Sequence, residues 1–92
     1  MHSPGRVSKM RRGRLEMSDA FALVLKKHRT ALKLSREALA QKAGLHQTYI
    51  GLIERGLRNP SLDAVDTIAE ALDVSLSKLI AEAETVRKHT KS

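Results

Sequence analysis

The sequence predicts an all-α fold of five short helices. Three observations carry that prediction. Apolar residues recur at helical spacing, capping residues punctuate the chain at short intervals, and no stretch alternates apolar and polar residues as a half-buried strand would. The chain has 92 residues, of which 41% are hydrophobic, with a single Tyr, a single Phe and no Trp. That length suits one domain, and that apolar content is enough for a folded core.

The elements follow in order. Residues 1–17 read as a flexible basic tail, with Arg6, Lys9, Arg11, Arg12 and Arg14 set among Pro4, Gly5, Ser8 and Gly13 and no apolar period. A folded unit is expected over residues 18–88, and 89–92 read as a second short tail. The first helix is expected from about Asp19 to Lys33, capped by Ser18, with Asp19 complementing the positive end of the dipole. Phe21, Val24, Leu25, His28 and Leu32 would form its inner stripe. Ser35 caps a second helix from Arg36 to Ala43, and Gly44 ends it as a left-handed residue. A third helix runs from His46 or Gln47 to Arg55 and stops at Gly56, with a loop from Leu57 to Pro60. Ser61 caps a fourth that ends near Asp73, with Leu62, Val65, Ile68, Ala69 and Leu72 inward. Ser75 or Ser77 opens a fifth, with Leu76, Leu79, Ile80, Ala83 and Val86 along one side.

Charge separates along this plan. Residues 1–60 hold 13 Lys/Arg against 4 Asp/Glu, whereas residues 61–84 hold Lys78 against six acidic residues. The net charge is +7. One half is therefore suited to a polyanion, a nucleic acid or an anionic membrane surface, and the other is not. No apolar run approaches the ~20 residues that span a bilayer, and no apolar segment follows the basic N-terminus as a secretory signal requires. A cytoplasmic location is expected.

Catalytic and metal chemistry find no footing. Without cysteine there is neither a disulfide framework nor a thiolate site. His2, His28, His46 and His89 have no ligand spacing, and His28 is expected to pack on the inner stripe of the first helix. No Ser/His/Asp set or glycine-rich phosphate loop is present. The chain is expected not to be an enzyme and to need no cofactor or metal.

The most demanding segment is REALAQKAGLHQTYIGLIER, residues 36–55. Two short helices meet at a tight corner. Leu39, Ala43, Leu45, Ile50 and Ile53 point to the core, and Ala40 is small where one helix crosses the next. Gly44 carries the backbone through positive φ, which a β-carbon resists by roughly 1 kcal/mol or more. This is the pattern of a helix-turn-helix.

Residues 19–80 resemble the lambda-repressor-like family, also called Cro/repressor-type or xenobiotic-response-element-type helix-turn-helix. The strings that carry the likeness are LSREALAQKAGL (34–45), TYIGLIERGLRNPS (48–61) and LDAVDTIAEALDVSLSKLI (62–80). The middle string is also similar to the controller proteins of restriction–modification systems. The resemblance implies a compact five-helix domain, a sequence-specific transcriptional regulator, and double-stranded DNA as partner. It leaves open whether the role is controller, phage-type repressor or antitoxin.

The third helix would enter the major groove by its N-terminal end. Ile50 and Ile53 take its inner face, which puts Gln47, Gly51 and Arg55 opposite, with Thr48 and Leu52 beside them. Gln47 and Thr48 lie in the turn that the family uses to read bases. Gly51 costs about 1 kcal/mol of helix propensity against Ala, a cost that close approach to DNA or to a neighbouring helix would justify. Arg36, at the start of the second helix, is a phosphate candidate; it departs from the Gln common there, which would let it hold a phosphate more strongly or contact a base itself. Tyr49, Arg58 and Asn59 are phosphate candidates by resemblance. Arg29 and Glu54 match a family ion pair that supports the recognition helix, as does the corner at Gly44.

Members of this family usually pair about a two-fold axis, which implies a homodimer on a palindromic operator. The fifth helix is the expected dimer element, through Leu76, Leu79, Ile80 and Ala83. Two other classes compete: an adaptor that binds protein through this fold, and a nonspecific nucleic-acid binder acting through the basic tail. A separate protein partner is left open. The positive half of the chain disfavours the adaptor.

Overall fold

The computed structural model describes residues 10, 11 and 14–89, with side chains from residue 16 onward. Tail residues 1–9, 12, 13 and 90–92 lie outside the described residues. Five helices make the body: α1 (Met17–Ala31), α2 (Arg36–Ala43), α3 (Gln47–Glu54), α4 (Leu62–Leu72) and α5 (Leu76–His89). The expected all-α, lambda-repressor-like architecture is present, with the helix-turn-helix at α2 and α3. Two short strands precede it, β1 (Met10–Arg11) and β2 (Arg14–Leu15), paired antiparallel with Met10 opposite Leu15. They fall in the segment read as a tail, and β2 lies beside α5.

Serine caps open α2, α4 and α5 as expected. The Ser35 hydroxyl accepts from the Ala38 amide at 2.9 Å, and that of Ser61 from Ala64 at 3.0 Å. Ser75, not Ser77, opens α5, its hydroxyl accepting from the Lys78 amide at 3.1 Å. The first helix departs from expectation. It begins at Met17, with extended Glu16 before it and Ser18 inside the first turn. Met17 packs against the core, so the earlier start places an apolar side chain there.

Helix endings share one geometry. Lys33, Gly44, Gly56 and Asp73 all take positive φ, at 58°, 69°, 71° and 61°. The next residue's amide then bonds back five positions, Leu34 to Arg29, Leu45 to Ala40, Leu57 to Leu52 and Val74 to Ala69, at 2.9–3.1 Å. This double-bonded ending satisfies carbonyls that the last turn would otherwise leave bare. Leu34, Leu45 and Val74 turn onto the core, whereas Leu57 stays exposed.

The core gathers Leu25, Leu39, Ile50, Ile53, Ile68 and Leu79, each fully enclosed. Two residues expected inward are not. Leu32 is 50% exposed because α1 stops at Ala31 and the chain turns away at Lys33. Leu62 is 71% exposed because it sits at the first position of α4, a turn before its apolar stripe meets the core. Arg29 is buried on α1 in their stead.

α5 lies chiefly against α1. Leu79 and Ala83 are completely enclosed in that packing, so neither has surface to offer a second chain. This corrects their assignment to a dimer face. Leu76 and Ile80, only partly covered, keep exposed area. His28 is half-buried and hydrogen-bonds Glu82 at 2.7 Å, joining the two helices, with Lys27 and Lys78 also near that carboxylate. The bond with His28 holds the Glu82 carboxyl below its ordinary range.

Candidate nucleic-acid interface

The corner between α2 and α3 is built by the ending at Gly44. Its φ of 69° is left-handed, and a β-carbon there would find open space, so the demand for glycine is purely conformational. The chain emerges through extended His46, which gives α3 no side-chain cap.

α3 then divides its residues by face. Ile50 and Ile53 are fully enclosed, while Gln47 and Thr48 at its start are exposed. Tyr49 lies between, half-buried. Its hydroxyl accepts from the Ser61 amide at 3.4 Å, which ties α3 to the cap of α4. The Arg58 guanidinium sits 5.5 Å from the Tyr49 ring centroid, within cation–π range. Asn59 is exposed in the same loop. Tyr49, Arg58 and the first turn of α3 are thus tied to one edge of the molecule.

Beneath that edge is a charge cluster. Arg29 donates from Nε to Glu54 Oε2 at 2.6 Å and from Nη2 to Oε1 at 3.0 Å, and its Nη1 donates to the Leu34 carbonyl at 2.7 Å. The Glu54 side chain is 1% exposed. Arg29 therefore links α1, the first corner and α3, the architecture the family likeness implies. Burial alone would push the Glu54 carboxyl up. Hydrogen bonds from Arg29 and Arg36, with their charges, outweigh it and hold the group below its ordinary range.

Sequence reasoning missed the third member. Arg36 donates from Nε to Glu54 Oε1 at 3.0 Å. The two residues are 18 apart and follow no helical spacing, so no short-range pattern marks them as partners. Gly51 belongs to the same arrangement. A β-carbon added at Gly51 would meet only Arg36 Cδ, at 3.9 Å, an ordinary contact. Gly51 therefore does not serve close approach of a neighbouring helix backbone. We expect Gly51→Ala to raise the stability of the free chain by up to about 1 kcal/mol, the helix-propensity difference. A thermal melt checks this; a lower midpoint would show a constraint that the free chain does not display.

Among the described residues no group of His, Asp and Glu could hold a metal ion, and no helix is long and apolar enough to cross a membrane.

A compact bundle whose second and third helices form this corner, with one exposed start and one enclosed face, defines a class. Residues 25–79 match the helix-turn-helix family model, and the chain belongs to that family, a family of DNA-binding transcriptional regulators. It is similar to control protein C.SmaI of Serratia marcescens, 38% identical over 66 residues, covering 72% of this chain and 79% of that protein. Among solved structures it is similar to the restriction–modification controller C.AhdI of Aeromonas hydrophila, at 42% identity and TM-score 0.65, over 67% of this chain and 94% of that one. C.Esp1396I bound to a 19 base pair DNA duplex superposes with TM-score 0.71 at 30% identity, over 76% of this chain and 93% of the other.

Proposed function

We propose that this chain is a sequence-specific regulator that binds a palindromic operator as a homodimer, one α3 from each copy in successive major grooves. The observation that carries the reading is the division of α3: Ile50 and Ile53 are enclosed while Gln47 and Thr48 stand outward. Gln pairs in bidentate fashion with adenine N6 and N7, and Thr bonds a base edge or meets a thymine methyl. Tyr49, Arg58 and Asn59 hold phosphates and set the register, and the Arg29–Glu54 pair keeps α3 at its angle. The dimer face draws on Leu76 and Ile80, the two of the proposed residues that keep exposed area. A duplex such as the 19 base pairs bound by C.Esp1396I is long enough for two half-sites one helical turn apart. The chain acts in the cytoplasm.

The deciding experiment is a salt titration on a selected site and on scrambled DNA. A specific dimer prefers its site by at least ~10³ at physiological salt. Binding by the basic tail alone would give a steep salt slope and no preference. Gln47→Ala and Thr48→Ala should each cost about 1–3 kcal/mol on the selected site and relax discrimination at one position. Discrimination unchanged in both variants would remove them from the readout.

A further inference from the structure

We propose that Arg36 reads a guanine in each half-site, held for that task by Glu54, and is therefore a specificity-determining residue rather than a phosphate clamp. The inference rests on the DNA-binding reading above. Three observations carry it.

The first is position. The Arg36 stem runs across Gly51, with Cδ 3.9 Å from where a β-carbon would stand. Gly51 follows Gln47 by four residues on the same stripe of α3, about 6 Å along the axis at 1.5 Å per residue. Gly51, expected on the outward face of α3, is buried, and Arg36 lies over it from α2, one turn beyond the exposed Gln47.

The second is fixation. Nε bonds Glu54 Oε1 at 3.0 Å, and the Glu54 side chain is 1% exposed and anchored from below by Arg29. The carboxylate is a fixed post. The Arg36 side chain is itself 44% exposed. Among the described residues no group takes its Nη1 or Nη2. Pinning Nε sets the plane of the guanidinium and directs the remaining donors.

The third is charge. Two arginines share one carboxylate, so the cluster keeps a net positive charge after Glu54 is neutralised. A pinned guanidinium plane with free terminal donors matches guanine O6 and N7, the commonest specific contact arginine makes in the major groove. A phosphate also accepts a bidentate arginine fork, so it is the place of Arg36 over Gly51, one turn from Gln47 on α3, and not the fork itself, that favours a base edge.

The test starts from a site selected from random duplexes by the wild-type protein. Each position is then substituted, and affinities are measured for wild type, Arg36→Lys and Gln47→Ala. Arg36→Lys should lose about ten- to one-hundred-fold discrimination at one G·C pair per half-site, within two base pairs of the position that Gln47→Ala relaxes. Its binding to scrambled DNA should stay unchanged. A second arm needs no protein variant: replacing that guanine with 7-deazaguanine should weaken the wild type and leave Arg36→Lys unaffected. A uniform loss across all sequences, or wild-type indifference to 7-deazaguanine at every guanine, overturns the assignment. If Gln47→Ala and Thr48→Ala also change nothing at any position, the base-reading function itself fails, which separates the two outcomes.

Discussion

Replacing Arg29 with alanine should destabilise the fold by about 3 kcal/mol, the lower end of the cost of removing one partner from a buried ion pair. The lower end applies because Arg36 keeps one bond to Glu54 Oε1. Three hydrogen bonds disappear with the guanidinium, including that to the Leu34 carbonyl at the first corner. The Glu54 carboxylate, 1% exposed, is left facing a cavity. For a domain of this size each kcal/mol moves the melting midpoint by roughly 4–8 °C, so a thermal melt at neutral pH reads the loss directly. A change below 1 kcal/mol would show that the cluster is not structural. The same group sets an acid limit. The folded-state value of Glu54 lies below its ordinary 4.5, so the ionised form stabilises the native state. That contribution is fully present above the unfolded-state value and is lost as pH falls from there through the depressed folded value. Arg29→Ala should flatten this part of the acid-stability curve.

Ile53→Ala should cost about 2–5 kcal/mol, the range for emptying a fully enclosed aliphatic site. Ile53 is 0% exposed on the inner face of α3. Denaturant unfolding reads the loss. At temperatures well below its midpoint the variant should still discriminate between sites, because Gln47 and Thr48 occupy the other face. Gln47→Ala should do the reverse, keeping stability within about 0.5 kcal/mol and relaxing discrimination. Two substitutions on one helix of eight residues thus separate folding from recognition. If Ile53→Ala abolished discrimination while the chain stayed folded, the division of α3 into two faces would be wrong.

How much of this was legible in the sequence depended on whether local chemistry decided the matter. α2 was read at its true bounds because Ser35 and Gly44 both act locally. α1 was not, because Met17 gains enough by packing to draw the helix back past Ser18. Lys33 takes a left-handed turn that nothing in its side chain advertises. Leu62 carries the right period but falls a turn short of the core, which periodicity alone cannot register. On α5 the period marks an apolar stripe without saying what covers it, and α1 encloses Leu79 and Ala83. The outward placement of Gln47 and Thr48 followed from the phase of Ile50 and Ile53. The partnership of Arg36 and Glu54 did not, since it arises from how two helices are set beside each other.

That shared carboxylate has two neighbours at unequal depth. Arg29 supports the fold from inside, and Arg36 approaches from the rim. Arg29 gives Glu54 two bonds and Arg36 gives it one, from a side chain that is 44% exposed, so a change at position 36 should disturb the fold less than a change at position 29. With Arg36 reading a base as proposed, a protein and its binding site would be able to drift together at one base pair, and two related regulators in one cell would be kept from each other's targets by a single surface side chain.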